Sequence, residues 1–279
     1  MVFVARQFRF EFPRVPVVMG ILNVTPDSFS DGGQFLDVER AVARAEEMVS
    51  EGAELIDVGG ESTRPGAVPL GESEELCRVL PVVRRLCSRV AVAVSVDTRK
   101  AAVARAVLDV GASMINDIEA TRLNPEMWRV VAESGAGYCA MHMQGTPETM
   151  QINPVYEDVV SEIGSFFEDR LGRLSAVGVR SERVLLDPGI GFGKTLEQTL
   201  ALLQGLPQLC RAGRPILLGI SRKSFMGKAL GIKLENRLPA ALACSLWAAA
   251  RGVSFFRTHD VAATVQALRL HALLGDQLR

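Results

Sequence analysis

Short apolar runs alternate with longer amphipathic stretches along the chain. The runs are rich in β-branched residues and lack regular polar alternation, which is typical of strands buried on both faces of a parallel sheet. They lie at residues 17–21, 54–58, 92–96, 113–116, 137–141, 183–187, 215–219 and 253–257. Between them, stretches such as 37–53 and 73–88 have apolar residues at helical spacing. The pattern therefore predicts eight parallel strands, each followed by a helix.

The repeats form one series without a break in composition. This series predicts an α/β fold, a TIM (β/α)8 barrel, as a single domain over residues 1–279 with its core at about 15–275. A doubly wound open sheet is the alternative. Glycines stand where several helices should end, as a left-handed C-cap requires. They are Gly52, Gly111, Gly135 and Gly178. Residues 3–12 alternate apolar with charged or polar side chains and predict a short N-terminal β-hairpin across the bottom of the barrel.

Composition and charge narrow the class of protein. The chain is 48% hydrophobic and has a formal net charge of -1, which argues against a nucleic-acid binder that depends on counterion release. No apolar run is long enough to cross a bilayer, since even 238–250 is too short and contains Ser245. The N-terminus has no signal-peptide core, and the five cysteines include no C-x-x-C pair. A soluble, cytoplasmic protein with no membrane or nucleic-acid partner is expected.

Polar residues follow every predicted strand at its C-terminal end. In a TIM barrel these ends lie on one rim, where active sites are built. The rim residues are Asn23, residues 59–65, Asp97, Asn116 with Asp117, Met141 with His142, Asp187, residues 219–224 and residues 257–260. One polar strand end is ordinary, whereas eight on the rim of a closed barrel indicate a site.

The rim side chains divide by their chemistry. Asn116 and Asp187 suit the N–H and C=O edge of a flat heterocycle, and Lys223 can donate to a ring carbonyl or nitrogen. A second set, of cationic or N–H donor groups, suits phosphate oxygens. It consists of Arg64, Arg257 and His259. Asn23 and Asp97 carry oxygens of the kind that Mg²⁺ takes when it bridges a diphosphate. We therefore expect an anionic, diphosphate-bearing substrate with a planar ring.

Several of these residues also have a purely structural interpretation. Asp97 and Asp260 each precede a helical stretch, so either carboxylate can be a helix N-cap. His142 stands between two methionines and can be either a packed or a functional histidine. Residues 189–195 look like a phosphate-binding P-loop, but Pro188 occupies the position of its first glycine. The P-loop is therefore rejected, and the glycines are interpreted as a sharp turn beside a ligand.

Eight motifs, in this order, resemble those of the dihydropteroate synthases of the folate pathway. They are GILNVTPDSFSDGG (20–33), DVGGESTRPGA (57–67), SVDT (95–98), INDI (115–118), MHMQG (141–145), LLDPGIGFGK (185–194), GISRKS (219–224) and R-x-HD (257–260). The resemblance implies a homodimeric TIM barrel that uses Mg²⁺ to join 6-hydroxymethyl-7,8-dihydropterin diphosphate to 4-aminobenzoate. It also implies competitive inhibition by sulfonamides. Ile190 and Thr258 depart from the commonest family residues, and neither change removes a functional group.

The resemblance implies a role for each matching residue. Those expected at the pterin are Asp97, Asn116, Met141, Asp187 and Lys223. Those expected at the diphosphate are Asn23, which also contacts Mg²⁺, with Arg257 and His259. Those expected around 4-aminobenzoate are Thr63, Arg64, Pro65, Phe192, Arg222 and Ser224. The catalytic residues are expected to be Asp97, Lys223, Arg257 and His259.

The polar loop at about residues 24–36 matches the family's mobile first loop, and it is expected to close over the substrates. Two alternatives to the synthase remain. A pterin-binding methyltransferase domain has no use for a diphosphate cradle, and a degenerate paralogue usually lacks one of the charged rim residues. The rim carries both the cradle and all of those charges, which counts against both alternatives.

Overall fold

The computed structural model describes residues 1–24, 34–62, 67, 69–120 and 124–275. In this part of the chain the strands are β1 Val2–Ala5, β2 Phe8–Glu11, β3 Val17–Asn23, β4 Leu55–Gly59, β5 Ala93–Asp97, β6 Met114–Asp117, β7 Gly137–Met141, β8 Val184–Asp187, β9 Leu217–Gly219 and β10 Phe255–Thr258. The helices are α1 Gln34–Ser50, α2 Glu72–Arg89, α3 Ala101–Asp109, α4 Pro125–Ser134, α5 Val159–Ala176, α6 Leu196–Gln204, α7 Leu206–Leu209, α8 Ser224–Leu230, α9 Leu238–Ala249 and α10 Val261–Leu274.

Strands β3 to β10 form one parallel barrel. Pairing follows chain order from β3 to β8, and β10 pairs with both β3 and β9. Between β8 and β9 the ring is completed by a bridge of Leu186 with Ile216. In addition, the Leu186 N–H donates to the Pro215 carbonyl at 3.1 Å. The predicted TIM barrel is confirmed, and the open sheet is wrong because its first and last strands would not pair.

The helices cover the outside of the barrel with their apolar faces. Outward strand residues such as Val18, Val58 and Val96 share one buried cluster with helix residues. Glycines at the predicted helix ends adopt φ values between 67° and 115°, as expected for turns that return to a strand. They are Gly52, Gly111, Gly135 and Gly178. None of the helices in the described part of the chain has the length and hydropathy of a membrane span.

The N-terminal hairpin closes the bottom of the barrel, as predicted. Strands β1 and β2 pair antiparallel, and their inward side chains include Phe3 and Phe10. The ring of Phe3 lies 5.4 Å from that of Phe255, edge to face. The Phe3 ring packs so close to Gly137 that a Cβ at this position would lie 2.8 Å from the ring, so only glycine fits there. The floor of the barrel is therefore a buried cluster of aromatic and aliphatic side chains.

Side chains that point into the barrel change from apolar to polar along the strands. In β4, Leu55 belongs to the floor cluster, whereas Asp57 lies one inward position further along. In β10, Phe255 belongs to the floor and Arg257 is the next inward residue. The polar half of the lumen is therefore the C-terminal half, where the rim residues gather.

Phe3→Ala is expected to lower the free energy of unfolding by about 3–5 kcal/mol, because it removes a fully buried ring from the floor. Arg9→Ala, on the exposed face of the same hairpin, is the control and should change it by about 0.5 kcal/mol or less. Urea unfolding followed by the fluorescence of Trp128 and Trp247 measures both. Equal stability of the two variants would mean that the hairpin is no part of the barrel core.

Candidate active site

Four predicted site residues line the polar end of the lumen. Asp97, Asn116 and Asp187 are only 8%, 3% and 6% exposed, and the side chain of Arg257 is 20% exposed. Asn23, Asp97 and Asn116 lie in one row across β3 to β6, with Gly59 between the first two. The register thus places an amide, a carboxylate and a second amide side by side.

Arg257 is held between two carboxylates. Its Nε donates to Oδ2 of Asp57 at 2.6 Å, and its Nη2 donates to Oδ2 of Asp97 at 3.0 Å. The Asn116 Nδ2 donates to the same Asp57 oxygen at 3.1 Å. Buried charged groups in the lumen need such partners, because an unpaired buried charge is very costly.

The strand-end pattern does not predict Asp57. This carboxylate is fully buried in the middle of β4, among residues that read as an ordinary apolar strand. The available signal is an acidic residue inside an apolar run, since such a residue needs a buried partner from elsewhere in the chain. That partner, Arg257, lies 200 positions away in the sequence.

Neither carboxylate considered as a helix cap acts as one. Helix α3 begins at Ala101 with Lys100 at its N-cap, so Asp97 lies outside the helix. Asp260 occupies the N-cap position of α10 but makes no side-chain cap hydrogen bond. Its Oδ1 instead accepts from Nη2 of Arg222 at 2.8 Å. The cap interpretation is wrong for both side chains because each has a cationic partner within reach.

Burial moves the pKa values of three lumen groups toward neutrality. It raises the pKa of Asp97 to about 7, opposed by Arg257 and reinforced by Asp57. It raises the pKa of Asp187 to about 6 and lowers the pKa of Lys223 to about 8. Near neutral pH, a bound ligand can therefore change the protonation of each of these groups.

Lys223 and Phe192 meet at the mouth of the lumen. The Lys223 Nζ lies 4.0 Å from the centroid of the Phe192 ring, within cation–π distance. Phe192 also packs against the buried cluster that contains Met141 and Met143. The predicted pterin residues Met141 and Lys223 are thus connected through a predicted 4-aminobenzoate residue.

Lys194 holds the 189–193 turn, which carries Phe192, through hydrogen bonds to its backbone. This lysine is 3% exposed, and its Nζ donates to the carbonyls of Gly189 and Phe192 at 3.0 and 2.9 Å. Gly189 has a φ of 66°, and a Cβ there would lie 1.9 Å from the His142 carbonyl oxygen. Lys194 therefore binds backbone carbonyls, in agreement with the rejection of a P-loop. The sequence pattern did not predict this role.

His142 is a packed histidine. Its ring lies 5.1 Å from the Phe166 ring, and its Nδ1 is 3.3 Å from the Lys194 Nζ. Burial, with the lysine adding to it, lowers the pKa of His142 to about 3. The imidazole is therefore neutral at pH 7 and belongs to the support of the 189–193 turn.

His259 lies at the rim beside Ser221, with 3.0 Å between its Nδ1 and the serine Oγ. Burial lowers the pKa of His259 to about 4, and the charges of Arg222 and Arg257 add to this effect. The ring is neutral at pH 7, so it would meet a phosphate oxygen through an N–H group and not through a full charge.

The remaining predicted residues either lie exposed at the rim of the barrel or fall outside the described residues. Arg222 is exposed and has a φ of 60°, and Ser224 is the exposed first residue of α8. The predictions for Thr63, Arg64 and Pro65 and most of the predicted mobile loop, residues 25–33, fall outside the described residues.

The predicted magnesium ligand, Asn23, is exposed at the end of β3. A Cβ added to Gly59 would lie 3.7 Å from both the Asn23 Oδ1 and the Asp97 Cβ, so the glycine leaves the space between them open. Within the described residues no three His, Cys, Asp or Glu side chains form a metal cage. A single amide oxygen on an open rim suits a Mg²⁺ ion that keeps waters and takes its other ligands from a diphosphate.

Comparisons with known proteins agree with this geometry. The sequence profile of the family described as pterin-binding enzymes matches residues 19–259. The dihydropteroate synthase of Escherichia coli is 47% identical over 255 residues, 91% of this chain and 90% of that protein. The Yersinia pestis dihydropteroate synthase in a sulfonamide drug complex has a TM-score of 0.91 at 44% identity, covering 99% of this chain and 100% of that one. The Xanthomonas albilineans dihydropteroate synthase with 4-aminobenzoic acid has the same TM-score and identity, over 98% of both chains.

These matches extend over nearly the whole chain and include the barrel, its floor and its rim. They favour the synthase over the methyltransferase alternative, because the relatives matched along this length are dihydropteroate synthases. The chain belongs to the pterin-binding enzyme family, as a dihydropteroate synthase.

Proposed function

We propose that the polar end of the lumen joins 6-hydroxymethyl-7,8-dihydropterin diphosphate to 4-aminobenzoate, giving 7,8-dihydropteroate and diphosphate. The observation that carries this proposal is the gathering of Asp97, Asp187, Lys223 and Arg257, two carboxylates and two cations, around one lumen. The Xanthomonas albilineans relative binds 4-aminobenzoic acid, and the Yersinia pestis relative binds a sulfonamide drug. Those ligands support 4-aminobenzoate as a substrate here and sulfonamides as its competitors.

The ring of the pterin is recognised by buried polar groups. Asp187 and Asn116 accept hydrogen bonds from ring N–H groups, and Lys223 donates to a ring carbonyl or nitrogen. Met141 packs nearby as part of the apolar wall. A ring with the wrong pattern of donors and acceptors would leave these groups unpaired in a dry site, which costs about 1–3 kcal/mol for each group.

The reaction breaks the bond between the methylene carbon of the pterin and the diphosphate oxygen, and the electron pair leaves with the diphosphate. Positive charge develops on the methylene carbon and the ring, where Asp97 and Asp187 stabilise it. The amino nitrogen of 4-aminobenzoate attacks the carbon and then loses a proton to solvent. This nitrogen is neutral at pH 7, so proximity matters more than a strong general base. We expect a largely dissociative displacement.

The leaving diphosphate is held by Arg257 and by an N–H group of His259. Asn23 would hold Mg²⁺, which when bound supplies further positive charge for the diphosphate oxygens. The acceptor substrate is held at the rim by Phe192, Arg222 and Ser224. The same role is proposed for three residues of the 63–66 segment, namely Thr63, Arg64 and Pro65.

We also propose that two copies of the chain associate through the C-terminal helix. Leu270, Leu273 and Leu274 of α10 are 57%, 67% and 80% exposed, an apolar face that a second copy can cover. Sedimentation equilibrium should then give twice the 30.2 kDa mass of one chain. A monomer at micromolar concentration would reject this assembly.

The activity is tested by following diphosphate release from the purified chain. Release should require the pterin diphosphate, 4-aminobenzoate and Mg²⁺ together, and 7,8-dihydropteroate should be the second product. Chelation of Mg²⁺ should stop the reaction, and restoring the ion should recover it. Binding of the pterin diphosphate without turnover would instead identify a catalytically inactive paralogue.

Asp97→Asn and Lys223→Ala are each expected to lower kcat/KM at least a hundredfold, about 3 kcal/mol of transition-state stabilisation. The reason is that each removes a charge from the buried cluster around the reacting carbon. Lys228→Ala removes an exposed lysine of helix α8, which Lys223 directly precedes, and should leave the kinetics unchanged. Near-normal kinetics of either site variant would refute its assigned role.

The pH dependence of kcat/KM separates the two groups. Since the pKa of Asp97 is raised to about 7, the carboxylate loses its charge, and activity falls, as pH decreases through about 7. Since the pKa of Lys223 is lowered to about 8, activity falls as pH rises through about 8. Asp97→Asn should remove the acid limb near pH 7 and leave the one near pH 6, where Asp187 titrates, and Lys223→Ala should remove the alkaline limb. An acid limb that stays near pH 7 in Asp97→Asn would belong to another group.

A further inference from the structure

We infer that Asp57 is a positioning residue that fixes both the guanidinium of Arg257 and the orientation of the Asn116 amide. The inference rests on the proposed function, because those two residues are the ones expected to meet the diphosphate and the pterin ring. Asp57 itself lies one inward position below Asp97 in the neighbouring strand, on the floor side of the site.

A single oxygen of Asp57 serves both partners. Oδ2 accepts from Arg257 Nε at 2.6 Å and from Asn116 Nδ2 at 3.1 Å, and the aspartate side chain is fully buried. These partners come from β10 and β6, on opposite sides of β4 and β5 in the pairing order. One carboxylate therefore contacts both the residue proposed to bind the diphosphate, Arg257, and the residue proposed to bind the pterin ring, Asn116.

The contact determines which end of the Asn116 amide faces the lumen. A carboxylate paired with a guanidinium only accepts hydrogen bonds, so the Asn116 nitrogen must face Asp57. The Asn116 Oδ1 is left as an acceptor, and this buried atom has no partner among the described residues. A ligand with an N–H group can satisfy it, whereas a ligand with a bare ring nitrogen at that point cannot. Asp57 thereby determines that the ring must present an N–H group to Asn116.

The same contact fixes the plane of Arg257. Its Nε is held by Asp57 and its Nη2 by Asp97, from two adjacent strands, so the guanidinium cannot rotate about its long side chain. Without Asp57 the Arg257 charge would pair with Asp97 alone. Asp97 is faced by Asp57 from β4, Glu75 from α2, Asp117 from β6 and Arg257 from β10. Removing the negative charge of Asp57 therefore lowers the pKa of Asp97.

Two substitutions separate the two roles. Asp57→Asn removes the charge but retains an oxygen that can accept from Asn116, whereas Asp57→Ala removes both. Asp117→Asn is the matched control: it changes a buried carboxylate on β6, two strands away from β4, that pairs with Tyr138 and not with Arg257. Affinities are measured by calorimetry with inorganic diphosphate plus Mg²⁺ and with 6-hydroxymethylpterin, which lacks the diphosphate arm.

Asp57→Asn should weaken diphosphate binding about 30-fold, since the Arg257 guanidinium loses the contact that fixes its plane, and should change pterin binding less than threefold. Its acid limb in kcat/KM should move to lower pH. Asp57→Ala should weaken both ligands, and the KM for 4-aminobenzoate should stay within about twofold in either variant. The control should keep wild-type affinities, and its acid limb should move less than that of Asp57→Asn, because Asp117 raises the pKa of Asp97 less than Asp57 does.

Wild-type affinities and acid limb in Asp57→Asn, or equal losses for all ligands in both Asp57→Asn and Asp117→Asn, would overturn the inference. If Asp57→Ala does not fold, the diphosphate affinity and acid limb of Asp57→Asn alone decide. A wild-type chain without turnover would instead refute the proposed function, and the calorimetric comparison would still test the two contacts of Asp57.

Discussion

A guanidinium inside a closed barrel must have its charge balanced there, and the rest of the site follows from this constraint. Arg257 lies between Asp57 and Asp97 because most of its side chain is buried, where water can solvate its charge only in part. These carboxylates are in turn crowded by one another, so the charge of the lumen is shared and not assigned to isolated pairs. Replacing any one of the three residues would change the electrostatic environment of the other two.

Burial, together with this shared charge, makes the protonation of the site sensitive to a ligand. Asp97, Asp187 and Lys223 have pKa values of about 7, 6 and 8, so none is held far from its titration point at neutral pH. In the proposed reaction, an anionic diphosphate arm enters beside these groups and the ring becomes cationic, and both changes would act on groups whose protonation can respond. Preorganised dipoles and charges of this kind need little rearrangement as the bond breaks.

The barrel and much of its rim could be predicted from the sequence, because both follow from local patterns. Apolar runs without alternation predict parallel strands, and Asp97, Asn116 and Asp187 follow such runs directly. Asp57 could not be placed in the same way, since its meaning depends on Arg257, a partner supplied by the last strand.

Other contacts were also beyond the reach of local pattern. The Lys194 side chain points inward because of the shape of the glycine-rich 189–193 segment. The pairing of Asp260 with Arg222 depends on how two rim loops meet. Such contacts involve loops whose relative position is set by the closed barrel. A motif can indicate that a residue lies at the rim, but not which neighbour its side chain faces.

The hairpin under the barrel has a kinetic consequence. With Phe3, Phe10 and Phe255 sealing the floor, the lumen is a blind well with one opening. Asn116 and Asp187 lie buried in the well, whereas Arg222 and Ser224 stand at its mouth. In the proposed function the pterin binds below and the aminobenzoate above, so the two must arrive in that order, and a bound aminobenzoate would block the departure of whatever lies beneath it. Turnover in such a well is sequential and ordered, which product-inhibition patterns would reveal.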